Sequence, residues 1–344
     1  MSACPNPYPN SRTSLKIGEP LSTLKWFGFK NLHHLPKTAA MSPTSRSLLK
    51  RLLPQTAIRQ ARKVQTTFQR LSLPTTRRIF ENAPQIPAFL EPDNLPILQR
   101  HYPILPEYGY GADELERRGY ARTKEILNLP GASTAKSFLE IGCWDGMVSH
   151  ALQLKGKQTT AVDNRAEGFD QRALNAGVRL LQNDATHLQF EDGSFDFVFS
   201  YDTFEHVAQP ERVLQEAARV TKKGGHVFLE FGPLYYSPFG QHAYRSVTVP
   251  YCQVLFSKET LQQFVIQRGL DPIGFSKVNE WSLDQYRELW EMNAHQLRKV
   301  EYKEILDLSH MNLIRKYSSC FRNKSTLFDN FIVSSIHVVF QKLP

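Results

Sequence analysis

The chain has 344 residues, 41% of them hydrophobic and 22% charged, enough for one large domain or two modest ones with a proper core. No stretch approaches the roughly 18 consecutive apolar residues of a membrane span, so no spanning helix is expected. The four cysteines (Cys4, Cys143, Cys252 and Cys320) form no CxxC pair and no His/Cys cluster at zinc spacing. Neither a disulfide framework nor a metal site is therefore expected, and the chain reads as cytoplasmic.

The net charge of +9 is unevenly spread. Residues 1–80 hold fourteen Lys and Arg against Glu19 alone, whereas residues 81–344 hold 28 basic and 32 acidic residues. The basic character belongs to an N-terminal arm, and the rest of the chain is mildly acidic. A nucleic-acid enzyme would carry its positive charge around the active site, so no DNA or RNA is expected there.

The first 45 or so residues, rich in Ser, Thr, Pro, Asn and Lys, read as disordered. An acid-poor, Ser- and Lys-rich start also fits an organelle transit peptide; the plainer reading places the true start at Met41. From Gln55 to Ser72 the residues Ile58, Ala61, Val64, Phe68 and Leu71 recur at helical spacing among Arg59, Arg62, Lys63 and Arg70. This basic amphipathic helix reads as an anchor for a membrane surface, giving weak contact through the arm, or more simply as a helix packed on the domain. Residues 74–108 carry seven prolines and are expected to wrap the domain as irregular chain.

A helix is expected over Ala112–Leu129, and strands and helices then alternate. Strands are expected at Ser137–Ile141, Gln158–Val162, Val178–Gln182, Phe195–Ser200 and Gly225–Phe231, with helices at Gly146–Leu154, Gly168–Ala176, Gln209–Val220 and Ser257–Arg268. Two more strands are expected at Ile273–Val278 and Val333–Gln341, with a helical stretch between them over Ser282–Lys316. Buried-type strands separated by helices define an α/β fold with a doubly wound, mostly parallel seven-stranded sheet. The domain is expected to span residues 81–344, with its core at 112–278 and 328–342. An insert at 280–327, rich in aromatics, is expected to cap the pocket with helices.

The most informative segment is Phe138–Gly146, FLEIGCWDG: a strand ending in Glu140, a glycine turn, and a helix start. Ligands of doubly wound sheets bind at the carboxyl ends of the strands, where such a loop sits. A dinucleotide loop needs G-x-G-x-x-G so that its pyrophosphate can lie on the helix N-terminus. Here Trp144 fills the second glycine position and the spacing is G-x-x-x-G, which suits a nucleoside without a diphosphate. Asp163 closes the second strand about 20 residues on, the place for a carboxylate that takes both ribose hydroxyls. Asp184 follows the third strand, where a carboxylate can accept from an adenine amine while the Ala185 N–H meets a ring nitrogen.

With FLEIGCWDG, TTAVDN, LQNDATHLQFEDGSFDFVFSYDTFEHV and the PERVLQEAARVTKKGG run into HVFLEFG, residues 137–231 resemble a class I S-adenosylmethionine-dependent methyltransferase of the quinone and small-molecule branch. The departure is Trp144-Asp145 in place of the family's usual glycine and small or polar residue. The resemblance implies a Rossmann-like fold and S-adenosylmethionine as cofactor. Glu140 would hold the methionine amino end, Gly142, Cys143, Trp144 and Gly146 would line the methionine and ribose, and Asp163 with its neighbour Asn164 would take the ribose. Asp184 and Ala185 would take adenine, and Ser200-Tyr201-Asp202 would approach the sulfonium.

Such a cofactor carries an activated methyl, so the protein mainly aligns a nucleophile in line with the S–CH₃ bond and excludes water. A base is needed only for an acceptor that must lose a proton. His206 is one candidate; a structural histidine bonded to a backbone carbonyl is the competing reading. Residues 232–246, GPLYYSPFGQHAYRS, place Tyr235, Tyr236, His242 and Tyr244 in a shaped loop after the fifth strand, or else in a packed surface loop. The fourth strand lacks the Asn/Asp-Pro-Pro-aromatic run of enzymes that methylate nitrogens in DNA and proteins. The expected function is methyl transfer to a small or lipid-like acceptor. The alternatives are a non-catalytic scaffold that uses the basic arm and a nicotinamide oxidoreductase, the latter disfavoured by Trp144.

Overall fold

The structure, a computed structural model, describes residues 55–102, 109–243, 246–270 and 278–344, with side chains from residue 67 on. Residues 54–344 form one compact unit. Its elements in chain order are α1 Gln55–Glu81, α2 Asn94–Gln99, α3 Ala112–Ile126, β1 Ser137–Ile141, α4 Met147–Gln153, β2 Gln158–Asp163, α5 Gln171–Asn175, β3 Arg179–Gln182, β4 Phe195–Tyr201 and α6 Pro210–Val220. They continue with β5 Thr221–Phe231, α7 Cys252–Leu255, α8 Lys258–Ile266, α9 Leu283–Met292, β6 Leu297–Leu306, α10 Met311–Lys316, α11 Ser318–Lys324, a 3₁₀ turn Phe328–Phe331 and β7 Val333–Lys342.

The strands form one seven-stranded sheet in the order β3-β2-β1-β4-β5-β7-β6. β1 to β5 run parallel, β7 is antiparallel to β5, and β6 is antiparallel to β7. The order reverses between β1 and β4, and it is at the carboxyl ends of the strands beside such a switch point that doubly wound sheets bind ligands. Helices cover both faces, so the central strands are apolar on both sides. On β4, Val198 joins the cluster under α6 while Phe197 and Phe199 join the one under α3. α6 shows why its sequence is helical: Pro210 sits at the first turn, where its missing N–H is no loss, and Val213, Leu214, Ala217 and Ala218 make one buried stripe.

A second core lies beside the sheet, built from Phe80 of α1, the chain after β5, and α10–α11. It explains the first departure from expectation. α1 does not stop before Pro74 but runs through it to Glu81. Proline in a helix interior removes one hydrogen bond and crowds the preceding turn. The hydroxyls of Ser72 and Thr76 donate to the carbonyls of Gln69 and Ser72 at 2.9 and 2.8 Å around that point. Phe80 is wholly buried against Phe328 and Phe331, and Arg77 pairs with Asp329. Packing outweighs the local signal. Phe68 and Leu71, by contrast, stay exposed, so the packed-helix reading holds for the C-terminal half of α1. The irregular stretch that follows also contains the short helix α2.

The second departure is β6. The helical stretch expected over Ser282–Lys316 contains α9 and α10, but between them Leu297–Leu306 is an edge strand on β7, with a register shift between Lys299 and Glu301. Arg298 and Glu301 stand at the i,i+3 spacing of a helical charge pair; on an edge strand such charges discourage pairing with another chain. The insert is therefore part of the sheet as well as a cover: Tyr286 and Trp290 of α9 are core residues. The strand expected at Ile273–Val278 lies, apart from Val278, outside the described residues. Among the described residues no helix is long and apolar enough to cross a membrane.

Candidate active site

The glycine turn after β1 is held open by backbone geometry that its sequence makes feasible. Gly142 and Gly146 have φ of +73° and +78°, conformations that glycine adopts without penalty. An added Cβ at Gly142 would meet the Thr203 hydroxyl at 2.2 Å. Trp144 shares the left-handed region with φ +50°, a strained position for a residue with a side chain. Its N–H donates to Asp163 Oδ2 at 2.9 Å, which offsets the strain and fastens the turn to the end of β2. The indole lies half exposed, with the Arg165 guanidinium 4.0 Å from its centroid.

Asp163, Asn164, Asp184 and Ala185 stand at the ends of β2 and β3, next to the turn: Asn183 N–H donates to the Asp163 carbonyl at 2.8 Å. The Asp163 carboxylate also accepts from Arg165 N at 3.2 Å and Arg165 Nε at 2.9 Å. Glu140 is buried, and its Oε2 accepts from Ser149 N and Oγ at 3.1 and 2.6 Å, which ties β1 to α4. Burial pushes its carboxyl up to about 8. Asp184 is exposed and accepts from Thr186 N and Oγ1, and these bonds hold its carboxyl below the usual range. The side chain of Cys143 packs with Ala161, Ala173 and Val178, and burial pushes its thiol well up, so it is inert. The Tyr201 ring belongs to the core under α3, with Arg122 over its face.

The four candidate catalytic residues divide into two groups. His206 and His242 meet edge to face with centroids 4.8 Å apart. One ligand atom from each, and one from Glu205, lie within 4.8 Å of one another. His242 Nε2 donates to the Pro233 carbonyl at 3.0 Å, so in the neutral ring Nδ1 carries the lone pair. His242 is thus a histidine bonded to a backbone carbonyl. Burial pulls His242 down to about 4. Tyr235 and Tyr236 stack edge to face, and Tyr236 turns against Phe331 in the second core. Tyr244 lies outside the described residues.

Sequence reasoning missed Glu205, Arg165 and Asn183. Glu205 is buried directly after β4; its Oε1 accepts from Gly232 N at 3.1 Å, and its Oε2 is buried without a hydrogen-bond partner. An acidic residue between Phe204 and the candidate His206 is the signal its sequence carries. Arg165 gave none, being an arginine after a strand-end acid. Burial raises Glu205 to about 8, so between the unfolded value near 4.5 and about 8 the fold binds a proton that the unfolded chain releases. That stability is fully present below about 4.5 and is lost as pH rises through 8. Glu205→Gln removes the titration, so the fall in urea midpoint from pH 5.5 to 8.5 is expected to be smaller in the variant than in the wild type.

The glycine turn and the strand-end acids stand together at the switch point of a doubly wound sheet, and the turn lacks a diphosphate-binding glycine run. Residues 139–229 match the methyltransferase domain family. The chain is similar to the ubiquinone biosynthesis O-methyltransferases of Sodalis glossinidius (31% identity over 113 residues, 31% of this chain and 45% of the relative) and Serratia proteamaculans (32% over 120 residues, 33% and 50%). It thus spans about half the length of the curated relatives it matches. Among solved structures, a SAM-dependent methyltransferase from Archaeoglobus fulgidus aligns with 66% of this chain and 94% of its own at 14% identity and a TM-score of 0.41.

Proposed function

We propose that the whole protein is an S-adenosylmethionine-dependent methyltransferase acting on a small or lipid-like acceptor. The observation that carries the reading is the methyltransferase segment 139–229, whose glycine turn stands between Glu140 and Asp163. The donor set suits the cofactor. Asp163, Asp184 and the orphaned, 93%-buried Asn183 Oδ1 form an edge of acceptors, as a ligand that donates from ribose hydroxyls and an adenine amine requires. In this reading Glu140, Gly142, Cys143, Trp144 and Gly146 hold the methionine and ribose side, with Cys143 and Tyr201 acting through main chain. When bound, the cofactor supplies a methyl already activated by its sulfonium.

The chain's own residues then orient the acceptor and receive its proton. His206 stands partly exposed at the mouth of the cluster, with its Nε2 3.9 Å from the buried Glu205 Oε1 and the neutral His242 ring against it. That arrangement fits His206 as the base, positioned by the other two, for an acceptor oxygen that must be deprotonated. Tyr235 and Tyr236 wall the acceptor from water. The test is incubation of the full chain with methyl-labelled cofactor and an extract of small metabolites and lipids. Label in a small organic product is expected; label retained on a bound cofactor, with no product, would count against transfer. Tyr236→Phe is expected to lower turnover while leaving S-adenosylhomocysteine affinity unchanged; unaltered kinetics would leave Tyr236 a packing residue.

A further inference from the structure

A second group of titratable side chains lies on the α3 face of the sheet, outside the crevice. His337 of β7 is buried, and each ring nitrogen meets a carboxylate. Nδ1 lies 2.9 Å from Glu230 Oε2 and 3.9 Å from Glu125 Oε1, while Nε2 lies 3.2 Å from Glu301 Oε1. A neutral imidazole has a single N–H. With that proton on Nδ1 facing Glu230, Nε2 turns a lone pair toward Glu301, and Nε2 is indeed buried without a hydrogen-bond partner. Three carboxylates around one ring also concentrate negative charge. Of the nearby cations, Arg122 pairs with Asp202, and the mostly exposed Lys303 pairs with Glu301 on the far side of the ring from Glu125 and Glu230.

We propose that Glu125, Glu230 and His337 form a binding site for a divalent transition-metal ion, zinc being the best match to one imidazole and two carboxylates. Their ligand atoms lie within 4.8 Å of one another. The 2.9 and 3.9 Å separations bracket the roughly 3.3 Å between two ligands of a tetrahedral zinc with bonds of about 2.0–2.1 Å. Metal on Nδ1 leaves the ring proton on Nε2, where Glu301 Oε1 stands 3.2 Å away and needs a small rotation to accept it. That is the carboxylate–histidine–metal relay of zinc sites. The Tyr201 hydroxyl donates to Glu125 Oε2 at 3.2 Å and orients the second carboxylate in the same way. The ion would fasten α3 to β5 and β7. α3 also reaches the crevice through Arg118–Asp145 and Arg122–Asp202, so its seating bears on the cofactor turn.

The proposal does not depend on the methyltransferase reading. Full-length protein stripped with chelator is titrated with Zn²⁺ by calorimetry, and separately with Co²⁺ by visible absorption. One zinc per chain is expected, with affinity reduced at least about tenfold in Glu230→Gln and His337→Gln and about 10- to 100-fold in Glu301→Gln. Glu125 is partly exposed on a helix, so Glu125→Gln keeps the fold; it should weaken zinc and change the cobalt spectrum. His206→Gln should leave the site intact. Absence of stoichiometric zinc would overturn the assignment. So would zinc binding insensitive to Glu230→Gln and Glu125→Gln, or binding lost in His206→Gln.

Discussion

Replacing Asp163 with alanine is expected to weaken S-adenosylhomocysteine binding by roughly 1–3 kcal/mol, about 5- to 150-fold in Kd. The carboxylate stands almost buried at the end of β2 and is the acceptor on which the turn depends. Its removal strands the Trp144 N–H, the Arg165 N–H and Arg165 Nε together with the ligand's hydroxyls. Trp144 then loses the bond that offsets its left-handed backbone. Asp163→Asn retains one acceptor oxygen and should fall between wild type and alanine. Calorimetric titration of the three proteins checks the order, and equal affinities would remove Asp163 from the site.

Trp290→Ala is expected to destabilise the fold by about 3–5 kcal/mol, the range for deleting a large buried aromatic. Trp290 is 1% exposed and packs against the rings of Phe204, Tyr286 and Phe340 at 5.2 to 6.1 Å. Phe204 precedes Glu205, so the cavity would also loosen the chain that carries His206. Trp290→Phe should lose much less, because the Trp290 Nε1 is already buried without a partner and the phenyl ring keeps most of the volume. Urea midpoints at an unchanged slope measure both. A near-neutral Trp290→Ala would mean that α9 is a loose cover and not part of the core.

The parallel half of the sheet is legible in the sequence because its signals are local. SFLEI and FDFVFS are apolar runs bounded by turn residues, and the structure places β1 at Ser137–Ile141 and β4 at Phe195–Tyr201. The glycine turn and the acids at 140, 163 and 184 are legible for the same reason, each being fixed to a strand end. What was not legible depends on distant partners. Pro74 reads as a break until Phe80 finds Phe328 and Phe331, and LRKVEYKEIL reads as helix until β7 supplies its neighbour. The pairing of His206 with His242 and the gathering of Glu125, Glu230 and His337 join residues far apart in sequence, which no spacing rule detects.

The G-x-x-x-G turn and the acids at the strand ends are expected to select an adenosyl ligand over a diphosphate-bridged coenzyme. Calorimetric titration of the full chain with S-adenosylhomocysteine and, separately, with NADH tests it most directly. One S-adenosylhomocysteine site per chain is expected, with no heat of binding from NADH. Saturable NADH binding, with none for S-adenosylhomocysteine, would contradict it.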